Sequence, residues 1–89
     1  MAWKIEWEPK ALKEFGKLGH DTRKRIQRYL KEKIIAAENP FILGDALTAD
    51  KRGLWRYRVG DYRIICRIDA EIVTIIVLRI AHRREVYDD

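Results

Sequence analysis

The chain of 89 residues contains no serine, one cysteine and two histidines. Without serine, a Ser–His–Asp triad is excluded as a source of nucleophilic catalysis. The single cysteine, Cys66, excludes an internal disulfide, and its place in an apolar run indicates a small buried residue rather than a nucleophile. The histidines, His20 and His82, have no carboxylate-rich cluster beside them, so we expect no metal centre.

Signals for membrane insertion, export and nucleotide binding are also missing. No apolar run is long enough to span a bilayer, and neither a P-loop nor a dinucleotide fingerprint occurs. The start, MAWKIEWEPK, has no apolar segment of the kind found in signal peptides. Together with the lone cysteine, this predicts a reducing, cytoplasmic location. We find no internal repeat or linker and expect a single domain over residues 1–89.

Positive charge is in excess and is unevenly distributed. The net charge is +5, and residues 1–50 carry seven Lys and three Arg, whereas residues 51–89 carry one Lys and eight Arg. Arginine is the planar fork that matches phosphate oxygens in pairs, so the second half of the chain indicates a polyanionic partner. The basic residues of the second predicted helix, Arg23, Lys24, Arg28 and Lys31, are interpreted as a solvated face, with RNA contact as the alternative.

The stretch LWRYRVGDYRIICRI, residues 54–68, predicts a hairpin that turns at Gly60-Asp61. With a two-residue turn, Arg58 lies opposite Arg63. Alternation places one apolar set on the core face: Trp55, Tyr57, Val59, Tyr62, Ile64, Cys66 and Ile68. The opposite face then carries four arginines: Arg56, Arg58, Arg63 and Arg67. Like charges directly opposite each other destabilise a sheet, which indicates that an anion binds there.

The rest of the chain predicts helices and further strands. Residues 3–7 alternate between apolar and charged side chains, as in a half-buried strand. Two amphipathic helices follow, the first entering at Pro9 and the second ending at Asn39. Residues 72–80 are apolar on both faces, as in a central strand. We therefore expect an α+β fold in which an N-terminal strand and a two-helix hairpin pack on a mainly antiparallel four-stranded sheet.

The tail places four chemically active side chains just past the last strand: His82, Arg83, Arg84 and Tyr87. Lys51 and Arg52 are predicted at the rim of the arginine face. This set suits a phosphodiester, because arginine stabilises charge on the phosphorane that forms when an RNA 2′-OH attacks in line. His82 could move protons and Tyr87 could stack on a base. From spacing alone, RNA binding and RNA cleavage are equal alternatives.

Three segments resemble the RelE/ParE toxin superfamily, and its RelE branch most strongly. They are EPKALKEFGKL at 8–18, GLWRYRVGDYRIICRI at 53–68 and HRREVY at 82–87. The resemblance implies a toxin of a type II toxin–antitoxin system that cuts mRNA in the ribosomal A site by 2′-OH attack without a metal ion. It also implies a cognate RelB-like antitoxin as inhibitor.

By this resemblance, the family's two basic residues on the first hairpin strand correspond to Arg56 and Arg58, and its arginine after the turn to Arg63. The basic residue of the tail motif corresponds to Arg83, and the terminal tyrosine to Tyr87. The expected catalytic set is Arg58, Arg63, His82, Arg83 and Tyr87. The expected RNA-binding set is Lys51, Arg52, Arg56, Arg67 and Arg84. No metal or cofactor is expected.

Two departures from the family pattern leave alternatives open. Well-studied RelE-like toxins have lysine at the first-strand positions, one of them assigned as general base, a role that Arg56 and Arg58 cannot easily play. Ala81 stands where the family often has glycine, so Arg83 and Arg84 both remain candidates for the tail arginine. A ParE-like poison of DNA gyrase and an inactive homologue that only binds its antitoxin are the alternative functions.

Overall fold

The elements follow one another in the predicted order. The computed structural model describes residues 3–36, 39–47 and 54–86 and, at residues 85 and 86, the backbone only. The elements are β1 (Lys4–Trp7), α1 (Pro9–Gly16), α2 (His20–Tyr29), β2 (Asp45–Ala46), β3 (Leu54–Val59), β4 (Tyr62–Asp69), β5 (Thr74–His82) and α3 (Arg83–Val86). Helix α2 continues as a wider, π-helical segment over Leu30–Ile35, and a 3-10 turn lies at Pro40–Ile42.

The strands form one sheet in the order β1-β5-β4-β3-β2, in which β1 runs parallel to β5 and the other pairs are antiparallel. The α+β class is therefore confirmed, but the sheet has five strands rather than the predicted four. The additional strand, β2, has two residues and pairs with Trp55 and Arg56. Gly44 precedes it at φ +73°, where a Cβ would collide with the carbonyl oxygen of Arg56. A two-residue strand is too short to show periodicity, so the sequence pattern could not reveal it.

The hairpin has the predicted register, with Val59 opposite Tyr62 and Arg58 opposite Arg63. Gly60 turns the chain at φ +60°, a conformation that glycine adopts at little cost. Five residues of the predicted core face are buried: Tyr57, Val59, Ile64, Cys66 and Ile68. The hydroxyl of Tyr57 donates a buried hydrogen bond of 2.7 Å to the carbonyl oxygen of Pro40, which ties the loop before β2 to the core.

The helices cover this face of the sheet. Their buried residues are Ala11 of α1, Ile26 of α2, and Leu30 and Ile34 of the π-helical segment. In contrast, Leu12 of α1 is 53% exposed and contributes little to the core. Within the described part of the chain, the helices are too short or too polar to cross a lipid bilayer.

Three protonated groups inside the fold predict that stability falls in alkali. Burial raises the pKa of the Cys66 thiol above its ordinary value of 9.0, and burial also raises the pKa values of the Tyr57 and Tyr29 phenols above 10.0. Since the raised values favour the protonated folded state, their contribution is complete below the unfolded pKa values and is lost as pH rises above them.

We expect the free energy of unfolding, measured in urea, to stay level between about pH 6 and pH 8 and to fall above about pH 9. The slope contributed by each group approaches about 1.4 kcal/mol per pH unit. In Cys66→Val the free energy of unfolding should begin to fall later, at about pH 10, because only Tyr29 and Tyr57 then contribute. The same onset in both proteins would show that the thiol is not held protonated by the fold.

Helix α1 supplies a hydrogen-bond acceptor to the outer edge of β5. Strand β1 pairs with Thr74 to Val77 and ends there. Further along, the carboxylate of Glu14 accepts the backbone N–H of Ile80 at 2.9 Å through Oε1 and the guanidinium of Arg79 at 3.0 Å through Oε2. Glu14 thus satisfies a strand donor that β1 does not reach, and it holds Arg79 on the α1 side of β5.

Replacing Glu14 by alanine should lower the free energy of unfolding by about 1–3 kcal/mol, because it leaves a backbone donor without its acceptor. Glu14→Gln keeps an acceptor oxygen and should lose less. Thermal unfolding of both variants, with Glu6→Ala on the exposed side of β1 as control, measures the difference. Equal losses in Glu14→Gln and Glu14→Ala would show that charge, not the acceptor, is what matters.

Candidate nucleic-acid interface

The hairpin turn separates two clefts. The first, which we name the tail cleft, has a volume of about 540 Å³ and is lined by Asp61, His82, Arg83 and Arg84. The second, the helix groove, has a volume of about 410 Å³. Its polar and turn residues are Arg25, Arg28, Glu32, Lys33, Arg58 and Gly60. Because Gly60 and Asp61 are consecutive residues, the two clefts meet at the turn.

The tail cleft forms where β5 passes into α3. The backbone N–H of Arg83 donates to the carbonyl oxygen of Asp61 at 2.7 Å, which ties the first residue of α3 to the hairpin turn. The side chains of the same two residues lie 3.9 Å apart and are 57% and 66% exposed, so their ion pair is loose. A phosphate could displace the Asp61 carboxylate from Arg83 at little cost.

A β-bulge decides on which side of the sheet His82 lies. Cys66 pairs with Val77 and Ile65 with Arg79, so Leu78 is an extra residue in β5. An extra residue reverses the alternation of all side chains that follow it. His82 is consequently paired with Tyr62, and their rings meet edge to face at a centroid distance of 5.5 Å.

The ring of His82 also supports the start of α3. Its Nδ1 accepts the backbone N–H of Arg84 at 3.3 Å, in the manner of a helix cap. A neutral imidazole that accepts at Nδ1 carries its proton on Nε2, so Nε2–H is a donor. The lone pair that a general base would need is used in this hydrogen bond. We therefore interpret His82 as a residue that positions α3 and offers a donor, rather than as a base.

Arg63 has a structural environment that the sequence did not suggest. The residue is only 4% exposed, although it was expected to present its guanidinium to RNA. Its Nη1 donates to the carbonyl oxygens of Gly60 at 3.2 Å and Tyr62 at 3.1 Å. Arg63 thus stabilises the hairpin turn from inside the fold. Its positive charge can act on a bound phosphate only from a buried position.

The other hairpin arginines are spread along the sheet rather than gathered in one cluster. Arg58 is exposed and lines the helix groove. Arg56 is partly buried and lies opposite Asp45 of β2. Arg67 is exposed but lies four residues beyond Arg63 on β4, roughly 13 Å along the strand. The structure therefore brings Arg58 together with residues of α2, and His82 together with Arg83 and Arg84.

Three predicted site residues, Lys51, Arg52 and Tyr87, lie outside the described residues. In the part of the chain that is described, no group of three or more His, Cys, Asp or Glu side chains could hold a metal ion. Arg25 and Asp61 were not predicted from the sequence to line a cleft. For Arg25, its spacing from Arg28 on one helical face could have indicated it. For Asp61, the sequence shows only an ordinary turn residue.

Sequence comparison relates this chain to toxins. The family described as ParE toxin of type II toxin–antitoxin systems matches residues 5–87. A curated relative, Toxin RelG of Mycobacterium tuberculosis, is 33% identical over an alignment of 76 residues, gaps included, that covers 74% of this chain and 87% of the relative. The matched region includes β3, β4, β5 and α3.

Structure comparison shows that the fold is shared with solved toxins. The toxin–antitoxin complex RelBE2 of Mycobacterium tuberculosis matches with a TM-score of 0.81 at 24% identity, covering 93% of this chain and 100% of the matched chain. The RelB–RelE complex of Methanococcus jannaschii matches with a TM-score of 0.71 at 25% identity, covering 93% and 95%. From the family match and the curated relative, the chain belongs to the RelE/ParE superfamily of type II toxin–antitoxin toxins.

Proposed function

We propose that this toxin is a ribosome-dependent endoribonuclease that cuts mRNA in the A site and so inhibits translation. The observation that carries the proposal is the tail cleft, in which two arginines and a histidine are fixed beside the turn of an arginine-rich hairpin. The 33% identity to Toxin RelG supports the role as a toxin. Such a reaction takes place in the cytoplasm, with ribosomal RNA and mRNA as partners.

The chemistry requires in-line attack of a 2′-OH on the adjacent phosphate, which forms a 2′,3′-cyclic phosphate and breaks the bond from phosphorus to the 5′ oxygen. The 2′ proton passes to water, and the 5′ oxygen takes a proton from water to leave as a hydroxyl group. Arg83 and Arg84 can hold the phosphate oxygens and stabilise the charge that develops on the phosphorane. The Nε2–H of His82 can donate a hydrogen bond to a phosphate oxygen or to the departing 5′ oxygen, without transferring its proton. Arg83 and Arg84 only donate hydrogen bonds, so among the four residues that line the tail cleft only Asp61 and His82 carry a proton acceptor. Positioning and charge stabilisation therefore supply most of the rate in this mechanism.

The partner in the resting state is a RelB-like antitoxin. Two of the structural relatives are complexes of RelE toxins with RelB antitoxins, from M. tuberculosis and M. jannaschii. With a net charge of +5, this chain would be neutralised by an acidic antitoxin segment that covers its arginines.

The test uses purified toxin and ribosomes stalled on a defined mRNA, with cleavage mapped by primer extension. We expect cuts within the A-site codon that disappear when antitoxin is added. The match to a family described as ParE toxin makes gyrase poisoning the second candidate, so supercoiling by DNA gyrase is assayed with the same preparation. Inhibited supercoiling without mRNA cuts would refute the proposed reaction, and inactivity in both assays would indicate a homologue that only binds antitoxin.

A further inference from the structure

We propose that the helix groove binds backbone phosphates of the RNA strand that is cut at the tail cleft, with Arg25 and Arg28 of α2 as its principal contacts. The inference rests on the RNA substrate of the proposed function and extends the interface from the sheet to the second helix. The groove would hold the strand beside the scissile bond without taking part in the chemistry.

Charge in the groove is strongly unbalanced. Four cationic side chains, Arg25, Arg28, Lys33 and Arg58, surround one carboxylate, Glu32. Among the described residues, none of these four cations makes an ion pair with a carboxylate within 4.0 Å. Neighbouring cations destabilise a fold unless an anion lies between them. A bound phosphate would offset this repulsion.

The guanidinium of Arg25 occupies a defined place at the hairpin turn. A Cβ built on Gly60 would lie 3.0 Å from Nη1 and 3.4 Å from Cζ of Arg25. The guanidinium therefore packs against the bare Cα of Gly60, in the space that a side chain at that position would take. Because Gly60 is required for the positive φ of the turn, the same residue makes the turn and admits Arg25 beside it.

The position of the groove favours an RNA strand over an acidic peptide, because it borders the same hairpin turn as the tail cleft in which the RNA is cut. Three of its cations are arginines, whose planar forks bind phosphate or carboxylate oxygens in pairs. Tyr29 also lines the groove, and because burial raises its pKa the phenol remains a neutral hydrogen-bond donor. The groove meets the tail cleft at Gly60 and Asp61, so one strand crossing the turn contacts both clefts. Its volume of about 410 Å³ is within the range of small-ligand sites.

The experiment measures binding of a short single-stranded RNA with 2′-O-methyl groups, which the toxin cannot cleave, by fluorescence anisotropy at several salt concentrations. The double variant Arg25→Ala/Arg28→Ala is compared with Arg23→Ala/Lys24→Ala. Both lose two positive charges from α2, but only the first loses them from the groove. Thermal unfolding confirms that each variant is folded.

We expect the groove variant to bind roughly tenfold more weakly and to reduce the slope of log K against log salt by about 1.4, which corresponds to two phosphate contacts on a single strand. The control should bind nearly as the unchanged protein does. The inference would be overturned if RNA binding weakened equally in the two variants, or if the unchanged protein bound no RNA. It would also be overturned if the groove variant lost antitoxin binding while its RNA affinity stayed unchanged. If the ribosome assay shows no mRNA cuts while the groove variant still loses RNA affinity selectively, the proposed reaction fails and the groove stands.

Discussion

Arg83→Ala should lower the rate of A-site cleavage by about 10²–10³-fold, because it removes a donor that stabilises charge on the phosphorane. The free energy of unfolding should be nearly unchanged. The side chain of Arg83 is 57% exposed, and its ion pair with Asp61 spans 3.9 Å, which is too loose to stabilise the fold. The backbone N–H that attaches α3 to the hairpin turn remains in the variant. Single-turnover cleavage on stalled ribosomes and urea unfolding measure the two quantities.

Lys24→Ala is the control, because it removes the same charge from an exposed position of α2 outside both clefts. It should cleave at close to the unchanged rate. If Lys24→Ala and Arg83→Ala lost activity equally, net charge rather than the tail cleft would determine the rate. Arg84→Ala, measured alongside, decides which of the two tail arginines makes the larger contribution.

The second large effect is expected at His82, where two substitutions separate its role as a helix cap from a role in proton transfer. Asparagine can keep an acceptor at the position of Nδ1 and is a favourable helix cap, so His82→Asn should retain cleavage within about tenfold. In His82→Gln the polar group lies further from the backbone and loses the bond to Arg84, so we expect a loss of about 10²-fold. Rates are measured from about pH 5 to pH 9.

The pH profile adds a signature that stability alone does not produce. The pH dependence of the rate, compared between the unchanged protein and His82→Asn, shows whether the imidazole takes part in the reaction beyond accepting the N–H of Arg84. If His82→Asn is instead as inactive as His82→Gln, the imidazole itself transfers a proton, and the shuttle role inferred from the sequence is correct.

The hairpin could be predicted in detail because its determinants are local. A two-residue turn at Gly60 and Asp61 sets which residues are paired, and alternation then assigns each side chain to a face. The pairing of Arg58 with Arg63 and the burial of Cys66 both follow from these two rules, and both are found. The two-helix hairpin could be predicted for a similar reason, since its apolar stripes repeat at helical spacing.

The site could be predicted only in part, because it depends on departures from regular patterns. The extra residue at Leu78 reverses the faces of β5, and nothing in a run of Val, Ile and Leu marks it. As a result, the position of His82 beside Tyr62 could not be derived from alternation. The burial of Arg63 and the approach of Arg25 to Gly60 arise from tertiary packing, which residue spacing does not describe.

The resemblance to RelE toxins predicted the family correctly, whereas the structure changed the roles that we assign to individual arginines. Arg58 and Arg63 were both expected in the catalytic set from the resemblance, yet one lines the helix groove and the other is buried beneath the turn. The tail residues Arg83 and Arg84 are the more accessible pair for a phosphate. This division of the arginines is why mutations at the tail should change the rate, while those in the groove should change the affinity.

The carboxylate of Glu14 has a further consequence for assembly. Edge strands invite other chains to extend the sheet, and a toxin released from its antitoxin has no partner to shield it. At the β5 edge, an incoming strand would have to strip water from a charged group already bonded to Ile80 and Arg79. Strand addition is therefore disfavoured along this stretch of β5. The opposite edge is protected in another way, since its outer strand, β2, is only two residues long.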